Sequence, residues 1–200
     1  TKFLKPSAGE IRLNGRDITG LSPDAVARLG MVRSFQISAV FPQLTVLENV
    51  RLAVQRRRGG SFDFWRGKAL LRDLEPRALE LIEAVGLEDV AEVTAETLSY
   101  GRKRALELAT TLALDPEIML LDEPMAGMGH EDVGRITDLI RTAARGRTVL
   151  LVEHNLGVVA DLCDRITVLM RGEILAEGDY ATVSRDPRVI EAYIGGAGHA

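Results

Sequence analysis

Two short apolar runs, Ile118 to Leu121 and Val149 to Val152, each end abruptly in polar residues and are separated by a stretch of helical length. Such spacing fits neighbouring strands of a parallel sheet, because parallel neighbours need a crossover of about a dozen residues or more, usually a helix. The rest of the chain repeats this alternation. Gly9 to Gly15 alternates apolar and polar residues between glycines, the mark of a half-buried strand closed by a turn. Ser22 to Leu29 supplies an N-cap, a first-turn proline and good helix formers. Met31 to Gln36 reads as a strand, and Thr45 to Val50 as a turn into a helix. Between Glu75 and Val85 the apolar residues Ala78, Leu79, Ile82 and Val85 fall at helical spacing with charges between them. Helices are expected from Ser99 to Leu114 and from Glu131 to Ala144, with buried strands at Ile118 to Leu121 and Thr148 to Val152. Two further strands, Arg165 to Met170 and Gly172 to Gly178, and a helix from Pro187 to Ile194 follow. The pattern predicts a largely parallel α/β sheet without internal repeats.

Composition narrows the classes of function. A length of 200 residues fits one domain with a real core, and a net charge of -4 argues against holding nucleic acid through a large phosphate-neutralising surface. The local cluster Arg56-Arg57-Arg58 does not overturn that. No run of about 18 uncharged apolar residues occurs, so membrane contact is expected to go through a partner. The single cysteine, Cys163, cannot form an internal disulfide, and no secretory signal pattern opens the sequence, which points to the cytoplasm. Residues 56 to 68 gather three arginines, paired glycines, Phe62, Phe64 and Trp65 in a chain only 4% aromatic, and read either as an exposed loop or as a partner-docking surface.

The strand Ile118 to Leu121 runs into Asp122 and Glu123 and is stopped by Pro124. It delivers two carboxylates to the carboxyl edge of the sheet, where α/β proteins bind ligands. One can hold a magnesium ion through its water shell while the other polarises an attacking water, although a polar strand end has the same composition. His154, at the end of the second strand, can donate to a phosphate oxygen or simply cap. Gln36 carries an amide able to bridge a water and a metal ligand. Leu98-Ser99-Tyr100-Gly101-Arg102-Lys103-Arg104 opens a long helix, with Ser99 as N-cap and Gly101 permitting close approach to the backbone. Three cations in a first turn oppose the helix dipole. Either an anion or neighbouring acids would reverse that.

Taken in order, Gln36, Leu98-Ser99-Tyr100-Gly101, Ile118 to Pro124 and His154 resemble the ABC transporter ATPase domain, over essentially the whole chain. The resemblance implies a P-loop NTPase-like, mostly parallel sheet core with a helical subdomain at about residues 40–115 and an N-terminal antiparallel β part, all within a single domain of residues 1–200. It implies that Gln36 is the Q-loop glutamine and a magnesium partner, Ser99 and Gly101 the signature pair, Asp122 the Walker B aspartate and magnesium ligand, Glu123 the catalytic base and His154 the switch histidine. ATP and Mg²⁺ would be the cofactors. The partners would be a second ATPase subunit, transmembrane permease subunits and, indirectly, a substrate-binding protein, with no nucleic acid, at the inner face of the cell membrane. The tail Arg185 to Gly195 and the run Asp122 to Gly129 resemble the subunits of branched-chain amino acid importers, while urea-type importers and lipopolysaccharide exporters have similar tails.

Two departures stand out. No Gly-x-x-x-x-Gly-Lys-Ser/Thr occurs, nor the adenine-stacking aromatic expected before it. In the family, Thr1 to Lys5 correspond to the end of the helix after that loop, so the resemblance places the missing part just upstream and implies a domain incomplete at its N-terminus. Gly129 stands where many relatives carry an acidic or amide residue. The alternative expectation is a non-hydrolysing regulatory or docking module that lends Ser99 and Gly101 in trans. A soluble ATPase of nucleic-acid maintenance is disfavoured by the acidic balance.

Overall fold

The computed structural model describes residues 6–33, 40–58 and 67–196, and Gln36, Phe62, Phe64 and Trp65 lie outside them. The chain packs as two units, one ending at Val152 and the other beginning at Glu153.

In the first unit, β1 (Arg12–Leu13) and β2 (Arg16–Asp17) pair antiparallel. Asn14 and Gly15 join them with φ of 48° and 78°, the left-handed pair that a tight hairpin turn demands. The expected strand is therefore one short arm of a hairpin. Its Leu13 packs with Ile18 and with Val26 of α1 (Pro23–Arg28), which gives this end a small core.

Three parallel strands follow in the order β3 (Met31–Arg33), β4 (Ile118–Asp122) and β5 (Thr148–Val152). Helices α2 (Val46–Arg58), α3 (Gly67–Ala84) and α4 (Tyr100–Ala113) pack on one another, and α4 also contacts α5 (His130–Ala143). Helix α3 runs through Pro76, so it starts earlier than its clear periodicity suggests. The interior is sealed by Val46, Val50, Ile82, Leu87, Leu106 and Met119, each below 2% exposure.

One expectation is corrected. Strand β4 is buried on one face through Met119 and Leu121, but β5 is not a buried strand: Leu150 is 59% and Val152 54% exposed. The register pairs Leu120 with Leu150 and Asp122 with Val152, on the sheet face opposite Met119 and Leu121. Among the described residues β5 pairs with β4 alone. An uncovered face therefore leaves an apolar run half exposed.

In the second unit, α6 (Leu156–Leu162) leads to an antiparallel hairpin of β6 (Ile166–Met170) and β7 (Glu173–Gly178), with an irregularity between Val168 and Leu169. Helices α7 (Tyr180–Val183) and α8 (Pro187–Gly196) follow. Ala176, Val183 and Val189 form this unit's core, with Ile166, Val168 and Leu175 packed against them.

Candidate functional site

The parallel strands end in the residues that the sequence marks. Asp122 is the last residue of β4, level with Val152 of β5. Glu123 has φ of 45°, a left-handed backbone that is costly for a residue with a side chain. Its amide donates to the Val152 carbonyl at 2.9 Å, so the ladder is carried one residue past the strand while the chain turns away. Ala126 then donates to the Glu123 carbonyl at 3.0 Å, Gly127 turns with φ of 75°, and Gly129 occupies the N-cap of α5. The alternation of the strand is broken at Glu123, which gives the two acids separate settings.

Asp122 is engaged by a cation. Arg33, at the end of β3, donates from Nη2 to Asp122 Oδ2 at 2.5 Å. Side-chain exposures of 36% and 23% leave the pair partly solvated. The same carboxylate suits magnesium. Mg²⁺ prefers hard oxygen donors and commonly takes one or two carboxylates, with phosphate oxygens and waters filling the remaining positions. A carboxylate at the strand end that already accepts a guanidinium has the right charge and donor chemistry for that role.

Ser99 takes the N-cap of α4 with an extended backbone, and its Oγ accepts from the Arg102 amide at 3.4 Å. Gly101 is buried, and a Cβ there would lie 2.5 Å from Asp132 Oδ1 in the first turn of α5. Close helix approach, rather than backbone φ, explains this glycine. The three first-turn cations all have partners within the chain. Arg102 pairs with Asp89 at 2.7 Å, Lys103 Nζ donates to the Glu96 carbonyl at 2.8 Å, and Arg104 pairs with Glu107 at 2.7 Å. An anion is not needed to account for them. Burial works against the charge on Arg104, but hydrogen bonding and charge from Glu107 outweigh it and raise its pKa.

His154 belongs to the second unit. Its side chain is 73% exposed, whereas that of the preceding Glu153 is 1% exposed. Glu153 Oε2 accepts the amides of His154 and Asn155 at 2.8 and 3.0 Å, and the Asn155 side chain accepts those of Gly157 and Val158 to cap α6. The backbone carrying His154 is thus held by a buried carboxylate and a cap.

Comparison with known proteins decides the family. The ABC transporter family pattern matches residues 1–126. The chain belongs to the ABC transporter ATP-binding family. Residues 173–199 match a second pattern, that of the branched-chain amino acid ATP-binding cassette transporter. The high-affinity branched-chain amino acid transport ATP-binding protein LivG of Salmonella typhimurium is 36% identical over 204 residues, which is 98% of this chain and 80% of that protein. Among solved structures, the ADP conformation of MJ1267, an ATP-binding cassette of an ABC transporter, superposes with a TM-score of 0.79 at 28% identity. That match covers 98% of this chain and 80% of the other. A dimeric post-hydrolysis structure of the cassette MJ0796 bound to ADP and phosphate gives a TM-score of 0.72 at 27% identity, covering 88% of this chain and 75% of the other. The fold is that of these ATP-binding cassettes, a parallel sheet with helices and an antiparallel β part.

Three residues of the site escaped sequence reasoning. Arg33 had a signal, a charge inside the strand-like Met31 to Phe35. Tyr100 was visible only as a member of the run Leu98-Ser99-Tyr100-Gly101, with no role of its own, and it donates to the Ala126 carbonyl at 2.7 Å. Glu153 was visible as part of Glu153-His154-Asn155, but its burial was not.

Proposed function

We propose that this chain forms the ATP-hydrolysing part of a subunit that drives a branched-chain amino acid importer, working as a dimer beneath transmembrane permease subunits on the cytoplasmic side. The observation that carries the reading is the Asp122–Glu123 pair at the carboxyl edge of β4, with Glu123 turned into its own setting by φ of 45° and tied to Val152. Asp122 would hold magnesium, with Gln36 assisting through water. When bound, the ion would supply charge neutralisation at the phosphates. Glu123 orients water and takes its proton as the water oxygen bonds to the terminal phosphorus of ATP and the bridging P–O bond breaks, releasing ADP and phosphate. Ser99 and Gly101, at the start of α4, would serve as the signature pair for the nucleotide held by the partner, and His154 would serve as the switch histidine. Helices α2, α3 and α4 make up a helical subdomain at about residues 40–115 within one ATPase domain.

The phosphate cradle is the missing component. These 200 residues contain no Gly-x-x-x-x-Gly-Lys-Ser/Thr, and the outward Leu150 and Val152 support a further segment of the subunit over this face of β5. The 200-residue chain alone therefore lacks Mg²⁺-dependent ATP turnover, and robust turnover abolished by Glu123→Gln would overturn that statement. In the full-length subunit, Glu123→Gln removes hydrolysis by roughly 10²–10⁴-fold while ATP binding and dimerisation persist. Hydrolysis at an unchanged rate would remove Glu123 from the role of base.

A further inference from the structure

The first turn of α4 and the loop after Glu123 are joined through one side chain. The Tyr100 hydroxyl donates to the Ala126 carbonyl at 2.7 Å and accepts from Arg104 Nη2 at 3.0 Å. The guanidinium also lies 5.3 Å from the Tyr100 ring centroid, within cation–π range. The ring runs along the loop itself, since a Cβ on Gly127 would meet the Tyr100 Oη and Cζ at 3.8 Å. Behind it, Arg104 Nη1 donates to Glu107 Oε2 at 2.7 Å, with both side chains 7% exposed.

Stability alone is a poor reason for that ion pair. The desolvation of two buried charges commonly offsets their attraction, and apolar residues of similar volume often serve as well. Here the packing is also imperfect. A small pocket of about 20 Å³, partly open to solvent, lies among Arg104, Glu107, Leu121 and Pro124, and Glu107 Oε1 has no hydrogen-bond partner among the described residues. What the pair does achieve is direction, because it fixes the guanidinium that supports the Tyr100 hydroxyl.

We propose that Tyr100 is a positioning residue for hydrolysis: its hydroxyl sets the loop from Glu123 to Gly129 against the turn of Ser99 and Gly101, and the Arg104–Glu107 pair holds the phenol in place. The proposal rests on the function assigned above. Tyr100 sits between Ser99 and Gly101 in the chain, and its acceptor Ala126 is hydrogen-bonded back to Glu123. A ligand that presses on the start of α4 therefore shifts the loop carrying Glu123 in the same subunit. In a dimer whose α4 turns face the partner's nucleotide, this couples one nucleotide site to the other.

The test uses the full-length subunit in its assembled transporter, with Tyr100→Phe, the double change Arg104→Met with Glu107→Leu, and Glu123→Gln for reference. Tyr100→Phe is expected to lower kcat roughly tenfold through misplacement of the loop. KM for ATP should change less than about twofold and Tm by less than about 5 °C, in keeping with the loss of one exposed hydrogen bond to Ala126 and one partly buried bond from Arg104. Hydrogen exchange at the amides of Ala126 and Met128 should quicken without nucleotide. The double change should reproduce the fall in kcat while stability is kept or improved. Wild-type kcat in Tyr100→Phe, or a fall matched by equal losses in KM and Tm, overturns the proposal. Full hydrolysis by Glu123→Gln would instead defeat the functional reading on which it rests. An inactive Glu123→Gln beside a fully active Tyr100→Phe defeats this inference alone.

Discussion

Arg33 and Asp122, on adjacent strands, share a 2.5 Å hydrogen-bonded ion pair at the carboxylate that the proposed magnesium ion would use. The guanidinium and the metal compete for one anion. Arg33→Gln is therefore expected to lower the Mg²⁺ concentration for half-maximal ATP hydrolysis by about two- to fivefold, the scale of a partly exposed ion pair of ~0.2–1 kcal/mol. A Mg²⁺ titration of the full-length subunit measures it. A raised requirement would mean that Arg33 supports the site instead of competing for it.

Glu123 occupies a left-handed backbone region that glycine enters without cost. Glu123→Gly should leave unfolding free energy unchanged or raise it by up to about 2 kcal/mol, because relief of strain of ~1–3 kcal/mol matches or exceeds the ~0.5–1 kcal/mol cost of the greater freedom of glycine in the unfolded chain. Hydrolysis should be lost all the same. Urea unfolding beside an ATPase assay separates the two effects, and a large loss of stability would show that the side chain has a structural task.

Gly101→Ala would ordinarily stabilise a helix by up to about 1 kcal/mol. Here the new methyl group meets the Asp132 carboxylate, with Oδ1 at 2.5 Å and Cγ at 2.7 Å. The expected result is a loss of up to about 1 kcal/mol, since the Asp132 carboxylate must turn aside but is a side-chain end. Asp132→Ala should restore most of it, so a double-mutant cycle by urea unfolding should give a favourable coupling between the two changes. Additive losses would contradict the close approach of α4 and α5.

Leu150 and Val152 present apolar surface on β5. The 200-residue chain alone is expected to self-associate through it, and Leu150→Lys with Val152→Lys should shift it towards monomer in sedimentation. In the full-length subunit the same pair should cost roughly 1.5–3 kcal/mol for each apolar side chain that a further segment covers. Tolerance in both contexts would show the face to be open in both.

Acid should weaken the second unit. The Arg165 guanidinium hydrogen-bonded to Glu177 holds that carboxyl below its usual range, the hydrogen bonds from Thr182 do the same for Asp179, and Arg188 does so for Asp186. Each folded pKa lies below its unfolded value, so the stabilisation is complete above the ordinary carboxylate range near about 4 and fades as pH falls through the depressed values. Urea midpoints between about pH 6 and pH 2 should fall, and Glu177→Gln should make the fall shallower. A steeper fall would reverse the sign assigned to Glu177.

The sequence carried the layout of the fold because that layout depends on local pattern. The run Ile118 to Asp122, Ser99 as N-cap and the helical period of Ala78, Ile82 and Val85 need no distant partner to be seen. Asp122 and Glu123 were legible for the same reason, as polar residues where an apolar strand stops. What was hidden depends on contacts remote in sequence. Arg33 meets Asp122 across 89 positions, and Tyr100 meets Ala126 across 26. The exposure of β5 was hidden differently: an apolar strand reads as buried whether or not anything lies over it. The cations of α4 were ambiguous because their partners include Asp89 and the Glu96 carbonyl, which sit in earlier turns.

The bare face of β5 has a thermal consequence. A segment that settles on Leu150 and Val152 removes hydrocarbon from water, a process driven by entropy near room temperature and accompanied by a negative change in heat capacity. Such an attachment loosens on cooling. In the proposed full-length subunit, cooling is therefore expected to weaken the hold of any further segment on Leu150 and Val152.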